Sequence, residues 1–320
     1  MSPLVHGYVI EKNASSKKIS TEAVDNTEEI EYIWVHLNSG HKKAKDWLLE
    51  KSHLSDLVVE SMLHSENRPN VFKFSEGTMI TLRGVNTLPD QLVEDFNAIN
   101  ILIDSKRIIT IRQHRILAIE DIVNQIENGK PPQNVGAFLS MLVKKINFRI
   151  GEVIVAIEEA TDDLEEKIIA KDFDNVRSEL SNLRRRIIQI RKYLIPQRDV
   201  LNRLIVDDYE WLDDISKLYL RNAAEKMNRY IEDIDNIKEH ILLHQEEIGN
   251  KLNEEMNNTM YRLSIISALF LPLGFITGLL GVNIAGLPGM ENENAFILLT
   301  ILSGLFLILG FAYFKVRKQI

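Results

Sequence analysis

Two nearly charge-free runs dominate the pattern of hydrophobic and polar positions, Tyr261–Leu280 (YRLSIISALFLPLGFITGLL) and Ala295–Phe314 (AFILLTILSGLFLILGFAYF). The first has one charge, Arg262, near its start, and the second has none. An apolar helix needs about 20 residues to cross a hydrocarbon core of roughly 30 Å. Only helices or closed barrels satisfy their backbone polar groups in lipid. With so short a link as residues 281–294, the two runs predict a two-helix transmembrane hairpin.

Upstream the period changes. Residues 29–37 (EIEYIWVHL) read as a strand. Trp47, Leu48, Leu54, Leu57, Val58 and Met62 recur near helical spacing and predict one or two helices between His41 and Ser65. Asn70–Phe74 and Thr78–Arg83 flank Ser75-Glu76-Gly77, a hairpin with glycine at the turn. Ala98–Ile103 and Arg107–Arg112 repeat the pattern around Asp104-Ser105-Lys106. Alternation of Ile99, Ile101 and Ile103 predicts a half-buried antiparallel strand. Residues 1–115 are therefore expected to form a small α+β domain.

From Ile116 the reading is helical. Leu117–Asn128 is stopped by Gly129 and Pro131-Pro132, and long helices follow over Val135–Ala170 and Asp172–Ile195. Pro196 is expected to interrupt the run before Gln197–Val206 resumes it. Residues 116–207 form this long-helix region. A stalk helix over 208–260 is expected to continue into the first span, 261–280. Along it Leu220, Met227, Ile234, Ile241 and Ile248 recur every seven residues, with Ala224, Ile231 and Leu252 between them and Lys238 and Gln245 as breaks. Such a seam calls for parallel helical partners and argues for a homo-oligomer, the alternative being that the chain's own helices fill it.

Charge sets the orientation. The link 281–294 has no Lys or Arg and carries Glu291 and Glu293, whereas Lys251, Arg262, Lys315, Arg317 and Lys318 flank the spans. The positive-inside rule places both termini, the 1–260 region and the basic tail 315–320 in the cytoplasm and the link outside. Residues 1–30 lack an apolar h-region, so no cleavable signal is expected. A net charge of −8 argues against nucleic acid as a partner. With no cysteine, disulfides and thiolate zinc sites are excluded. No Walker loop, GxSxG, EF-hand loop or zincin motif occurs, so neither an enzyme nor a bound cofactor is expected.

Two features carry candidate chemistry. Asn257, Met260, Ser264, Ser267, Leu271, Gly274 and Gly278 follow three- and four-residue steps on one face of the first span, while the second is uniformly apolar. The face is small and mildly polar, suited to lining a pore built from several copies, although small residues also permit close helix packing. His240 and His244, at i and i+4, lie on one helix face beside Glu239 and Glu247, the spacing a two-histidine metal site needs. The same spacing arises by chance in long helices.

LFLPLGFITGLLGVN, ending in Gly281-Val282-Asn283, resembles the first membrane helix of the CorA superfamily of divalent-cation transporters, which closes in Gly-Met-Asn. Val282 in place of Met, the following Leu287-Pro288-Gly289, and PQRDVLNRL at Pro196–Leu204 resemble its ZntB-like zinc branch. The resemblance implies a funnel-shaped homopentamer in a bacterial inner membrane, with Zn²⁺ as transported substrate and proton coupling associated with the branch. It implies a pore lined by the first span, Asn283 at the external mouth, Gly281 giving the tight backbone that aims it, and Leu263, Met260 and Leu271 closing the path by dewetting. Glu291 and Glu293 would gather cations at the mouth, and Asn257 with Lys315, Arg317 and Lys318 would flank the cytoplasmic exit. The near alternative is a Mg²⁺, Co²⁺ or Ni²⁺ channel of the same architecture. The alternative of another class is a membrane-anchored coiled-coil scaffold that transports nothing.

Overall fold

The structure, a computed structural model, describes residues 4–19, 30–64, 68–85, 96–170, 175–282 and 293–316. Its compact units are Met1–Gln245 and Glu246–Ile320.

The first unit opens with strands β1 (Leu4–Glu11), β2 (Ser16–Lys18) and β3 (Ile30–Asn38). Helices α1 (Lys42–Lys51) and α2 (Asp56–Leu63) follow, then strands β4 (Asn70–Phe74), β5 (Gly77–Gly84), β6 (Asn97–Ile103) and β7 (Arg107–Arg112). One sheet results, in the order β2-β1-β3-β7-β6-β5-β4. Every pairing is antiparallel except β3 with β7, which runs parallel with Val35 opposite Ile109. β1 and β2 escaped the sequence reading because Lys, Ser and Asn around them mask an edge hairpin.

Period-two alternation sends neighbouring residues to opposite faces. Val35, Leu37, Met79, Leu102, Ile109 and Ile111 pack with Leu48, Val58 and Met62 of α1 and α2. Tyr32 and Trp34 face the other way, against Phe138, with ring centroids 6.4 and 4.8 Å apart. The sheet is thus covered on both sides, and β6 is buried on both faces rather than half-buried. Asn100, which made β6 look alternating, is 3% exposed. Its amide donates to the carbonyls of Met62 and His64, and its oxygen accepts from Thr81. At the β4–β5 hairpin Gly77 has φ +147°, and a Cβ there would stand 2.7 Å from the Ile103 carbonyl oxygen, so only glycine fits.

His36 lies inside this packing. Arg112 Nε donates to its Nε2 at 3.0 Å, so the proton sits on Nδ1 and is donated to Thr110 Oγ1 at 2.8 Å. Thr110 also accepts from Trp34 Nε1 and donates to the Val35 carbonyl. Burial, then Arg112, then His6 hold His36 well below the usual histidine range, and burial lowers His6 as well. Below about pH 6.5 the unfolded chain takes up protons that the folded rings refuse, so the unfolded state is favoured. Above that pH the contribution is complete. The unfolding free energy is expected to fall between pH 7 and pH 5, by at most about 1.4 kcal/mol per pH unit per ring, and the melting temperature with it. Thermal melts of His36→Gln across that range should show a shallower fall.

Helix α3 (Leu117–Glu127) ends at Gly129, φ +72°. Asn134 then caps α4 (Val135–Ile169), its side chain accepting from the Ala137 N–H. Helix α5 (Val176–Val206) runs straight through Pro196, contrary to the expected interruption. Pro196 removes one N–H, yet the flanking turns hold it: Gln197 is buried and accepts from the Arg83 N–H of β5 at 2.6 Å. Helix α6 spans Asp214–Leu280 and starts later than expected, because Asp213 accepts from the Ser216 N–H as its cap. Helix α7 (Ala295–Val316) closes the described chain.

Helices α4 and α6 run parallel, since Ser140 bonds Ser216 and Asn147 bonds Ala223 at a constant offset. Helix α5 runs antiparallel to both, tied by Arg191 to Asp235 of α6 and by Lys167 of α4 to Glu179. The heptad seam lies in this bundle: Leu220, Ala224, Met227, Ile231, Ile234 and Ile241 are all buried within the single chain. The chain's own helices fill this part of the seam, whereas Leu252 farther along it is 41% exposed.

A Cβ on Gly151 of α4 would collide with the Tyr230 hydroxyl of α6. In an open helix Gly→Ala stabilises by about 1 kcal/mol. Here the collision reverses the sign, at a cost of about 1–3 kcal/mol. Gly151→Ala is expected to lower the melting temperature in the wild type and to raise it in a Tyr230→Ala background.

Candidate functional site

The second unit holds the C-terminal part of α6 and all of α7, and both helices are long and apolar enough to cross a membrane. Within this part of α6, Ile265 and Leu269 are buried, 4% and 9% exposed. They stand one turn apart and look toward α7, where a Cβ on Gly310 would run into Leu269. Gly310 thus lets the two helices approach closely. The proposed pore-lining set is all uncovered: Met260, Leu263 and Leu271 are 58%, 57% and 76% exposed, and Asn257, Ser264, Ser267, Gly274 and Gly278 are exposed too. At 3.6 residues per turn, the mean direction of that set lies about 160° around the helix from the Ile265–Leu269 face. The hairpin therefore uses one side of α6 for α7 and leaves the small, mildly polar side without a partner among the described residues.

Two hydroxyls on this helix have their protons committed. Ser264 donates to the Met260 carbonyl at 2.9 Å, and Thr277 donates to the Leu273 carbonyl at 2.8 Å. What Ser264 keeps toward the open side is oxygen lone pairs. A hydrated cation presents O–H donors outward, so acceptor oxygens suit it. Pro272 lies inside the helix without breaking it, though it cannot donate to the Ala268 carbonyl.

Helix α6 ends at Leu280, and the Gly281 N–H donates to the Thr277 carbonyl at 2.9 Å. Gly281 has no left-handed backbone. A Cβ there would sit 3.1 Å from the Thr277 oxygen, so a close approach is what favours glycine. Val282 is 44% exposed. Asn283, Glu291, Arg317 and Lys318 lie outside the described residues. Glu293 is exposed beside the start of α7, and Lys315 occupies its last turn. Lys315 shares an apolar groove of about 620 Å³ with Ile266, Leu269, Phe270 and Phe311.

In the first unit the two candidate metal ligands part company. His240 is exposed, whereas His244 is 8% exposed and turned toward Glu165 of α4. Among the described residues no group of three or more His, Cys, Asp or Glu is placed to hold a metal. His41, His53 and His64 are exposed, and His36 belongs to the sheet network.

A family model described as "CorA-like Mg2+ transporter protein" matches residues 29–317. The chain is similar to the zinc transport protein ZntB of Yersinia enterocolitica, 30% identical over 92% of this chain and 90% of that one. It is similar to the divalent cation transporter CmaX of Pseudomonas aeruginosa, 30% identical over 92% and 90%. The solved structure of the full-length CmaX protein matches with a TM-score of 0.83 at 29% identity, over 99% of both chains. The family match runs from the start of β3 through both apolar helices, and on that breadth the chain belongs to the CorA-like family of Mg²⁺ transporter proteins.

Proposed function

We propose that the chain carries divalent metal cations, Zn²⁺ foremost, through a central pore of a homopentamer in a bacterial inner membrane. The observation that carries this reading is the uncovered face of α6 opposite the Ile265–Leu269 contact. Two helices cannot enclose a hydrated path, so such a face lines one only when several copies meet at an axis. Gly281-Val282-Asn283 stands at the external mouth with Glu291 and Glu293 close by. Asn257 and the basic Lys315, Arg317 and Lys318 lie at the cytoplasmic exit, and both termini are cytoplasmic. Residues 1–115, 116–207 and 208–260 form the cytoplasmic sheet domain, long-helix region and stalk, and 281–294 the external loop.

The zinc assignment draws on the relatives named zinc transport protein. A cytoplasm-negative potential favours inward movement of a divalent ion by about 4.6 kcal/mol per 100 mV, which makes import the favoured direction. Between Arg262 and Lys315 the described spans hold no Asp, Glu or His, so the ion passes hydrated or weakly held. A second reading, a Mg²⁺, Co²⁺ or Ni²⁺ channel, draws on the description of the family model.

Metal uptake into proteoliposomes tests both. Zn²⁺ uptake faster than Mg²⁺ uptake is the expected result, and acceleration by an inward proton gradient would make the importer proton-coupled. Mg²⁺ uptake as fast as Zn²⁺, indifferent to pH and set by voltage, would favour the channel.

A further inference from the structure

The two polar breaks in the α6 seam, Lys238 and Gln245, both lie along α5. Gln245 accepts from Arg184 of α5 at 3.4 Å. Lys238 is half-buried at the rim of a cavity of about 430 Å³ between the two helices. A lysine in an apolar seam costs stability, so its place there calls for a reason. Ile188, Ile195 and Pro196 of α5 make the cavity apolar on one side, and Arg68, Arg191 and Lys192 join Lys238 in a cationic rim. Asp235 holds Arg191 through hydrogen bonds of 2.8 and 3.3 Å, which leaves the other N–H donors of the guanidinium unspent. Among the described residues no Asp or Glu lines the cavity, and none pairs with Arg68, Lys192 or Lys238. We propose that this α5–α6 groove binds a nucleoside polyphosphate, its base on the apolar floor and its phosphates on the rim.

Size and charge select the ligand. The volume lies within the roughly 300–1,000 Å³ of small-molecule sites. From Ile188 to Ile195 the helix rises about 10 Å, whereas one lipid chain takes half of a hydrocarbon core of roughly 30 Å. A compact ligand therefore fits better than an acyl chain. Helix α5 carries eight Lys or Arg against two acids in a chain whose net charge is −8, so positive potential is concentrated here. Arginine and lysine hold phosphate through charge-assisted hydrogen bonds, and a run of phosphates matches a rim of several cations. A monovalent anion would engage only part of that rim. A bare polyphosphate would leave the floor uncovered, where Ile188 is 52% exposed, and a base laid on it removes that apolar surface from water. The site stands whichever ion the spans carry.

The test uses the full chain in detergent with EDTA present, titrated by calorimetry with ATP and with inorganic triphosphate. ATP should bind at least tenfold more tightly than triphosphate. Lys238→Leu and Lys192→Gln should each weaken ATP at least tenfold. Arg185→Gln makes the same change of charge on α5 outside the groove and should keep the affinity within twofold. Lys238→Leu also completes the apolar seam, so its melting temperature without ligand should rise, which separates lost binding from a lost fold. Lys192 is exposed, and Lys192→Gln keeps the test decisive should Lys238→Leu fail to fold. Short-chain phosphatidic acid should not displace ATP, and displacement would give the groove to a lipid and overturn the proposal. ATP affinity unchanged in Lys192→Gln, or triphosphate bound as tightly as ATP, would overturn it too. So would equal losses in Arg185→Gln and Lys192→Gln, which signify diffuse attraction to a basic helix.

Discussion

Ser267→Trp is expected to cut Zn²⁺ uptake into proteoliposomes at least tenfold. Ser267 lies at the centre of the uncovered face of α6, about 160–200° around the helix from Ile265 and Leu269. Repeated around a pentamer axis, the substitution would place five indoles in a path that must pass a hydrated ion. The variant should still purify as the wild type does, because the α6–α7 contact at Leu269 and Gly310 is untouched. Ile301→Trp on α7, 62% exposed in an apolar helix, is the matched control and should leave uptake nearly unchanged. Ser267→Ala separates lining from packing. It removes an acceptor oxygen but keeps the face small, so uptake should fall by a few-fold while the melting temperature holds. Full uptake in Ser267→Trp would sink the pore assignment for this face.

The second large effect is one of stability. Trp34→Ala should cost about 3–5 kcal/mol, the range for emptying a buried Trp or Phe site. Trp34 is fully buried, stacked on Tyr8 at 5.8 Å and tilted on Phe138 at 4.8 Å. Its indole N–H also donates to Thr110, which still receives the His36 proton when the ring is gone. Loss of ring contacts rather than an orphaned hydroxyl therefore dominates. For a unit the size of Met1–Gln245 the cost corresponds to a fall of roughly 6–20 °C in the melting temperature, readable by tryptophan fluorescence or calorimetry in detergent. Trp34→Phe should recover about half, because the stacking returns without the full volume. A fall of only a degree or two in Trp34→Ala would mean that the Tyr8–Trp34–Phe138 stack does not anchor the sheet to α4.

Strong periodicity made much of the fold legible. β3, the β4–β5 and β6–β7 hairpins, α3 and α4 stand within a few residues of where alternation, Gly77 and Gly129 place them. Misreadings arose where a polar residue was satisfied internally or a helix breaker was outweighed. Asn100 looks solvent-facing until the carbonyls of Met62 and His64 are brought to it by α2. Pro196 looks like a break until Gln197 is seen bonded to β5. The heptad seam read first as a surface for other copies and second as the inside of a bundle, because the sequence of one helix does not name its neighbour. At the candidate site, three- and four-residue steps picked out the small face of α6. Ile265 and Leu269 are what distinguish it from the packing side, and in an apolar run they look like every other residue.

The sheet order has a consequence for synthesis. Its strands all lie between Leu4 and Arg112, and its longest-range pairing, β3 with β7, is satisfied once Arg112 is available. The first apolar run begins at Tyr261. At about 5–20 residues per second, a ribosome spends roughly 7–30 s between those two points. Domains of mixed topology close in milliseconds to seconds. The seven-stranded sheet thus has time to form before any membrane-bound segment leaves the ribosome, and insertion of the hairpin proceeds with a folded mass already attached to the nascent chain.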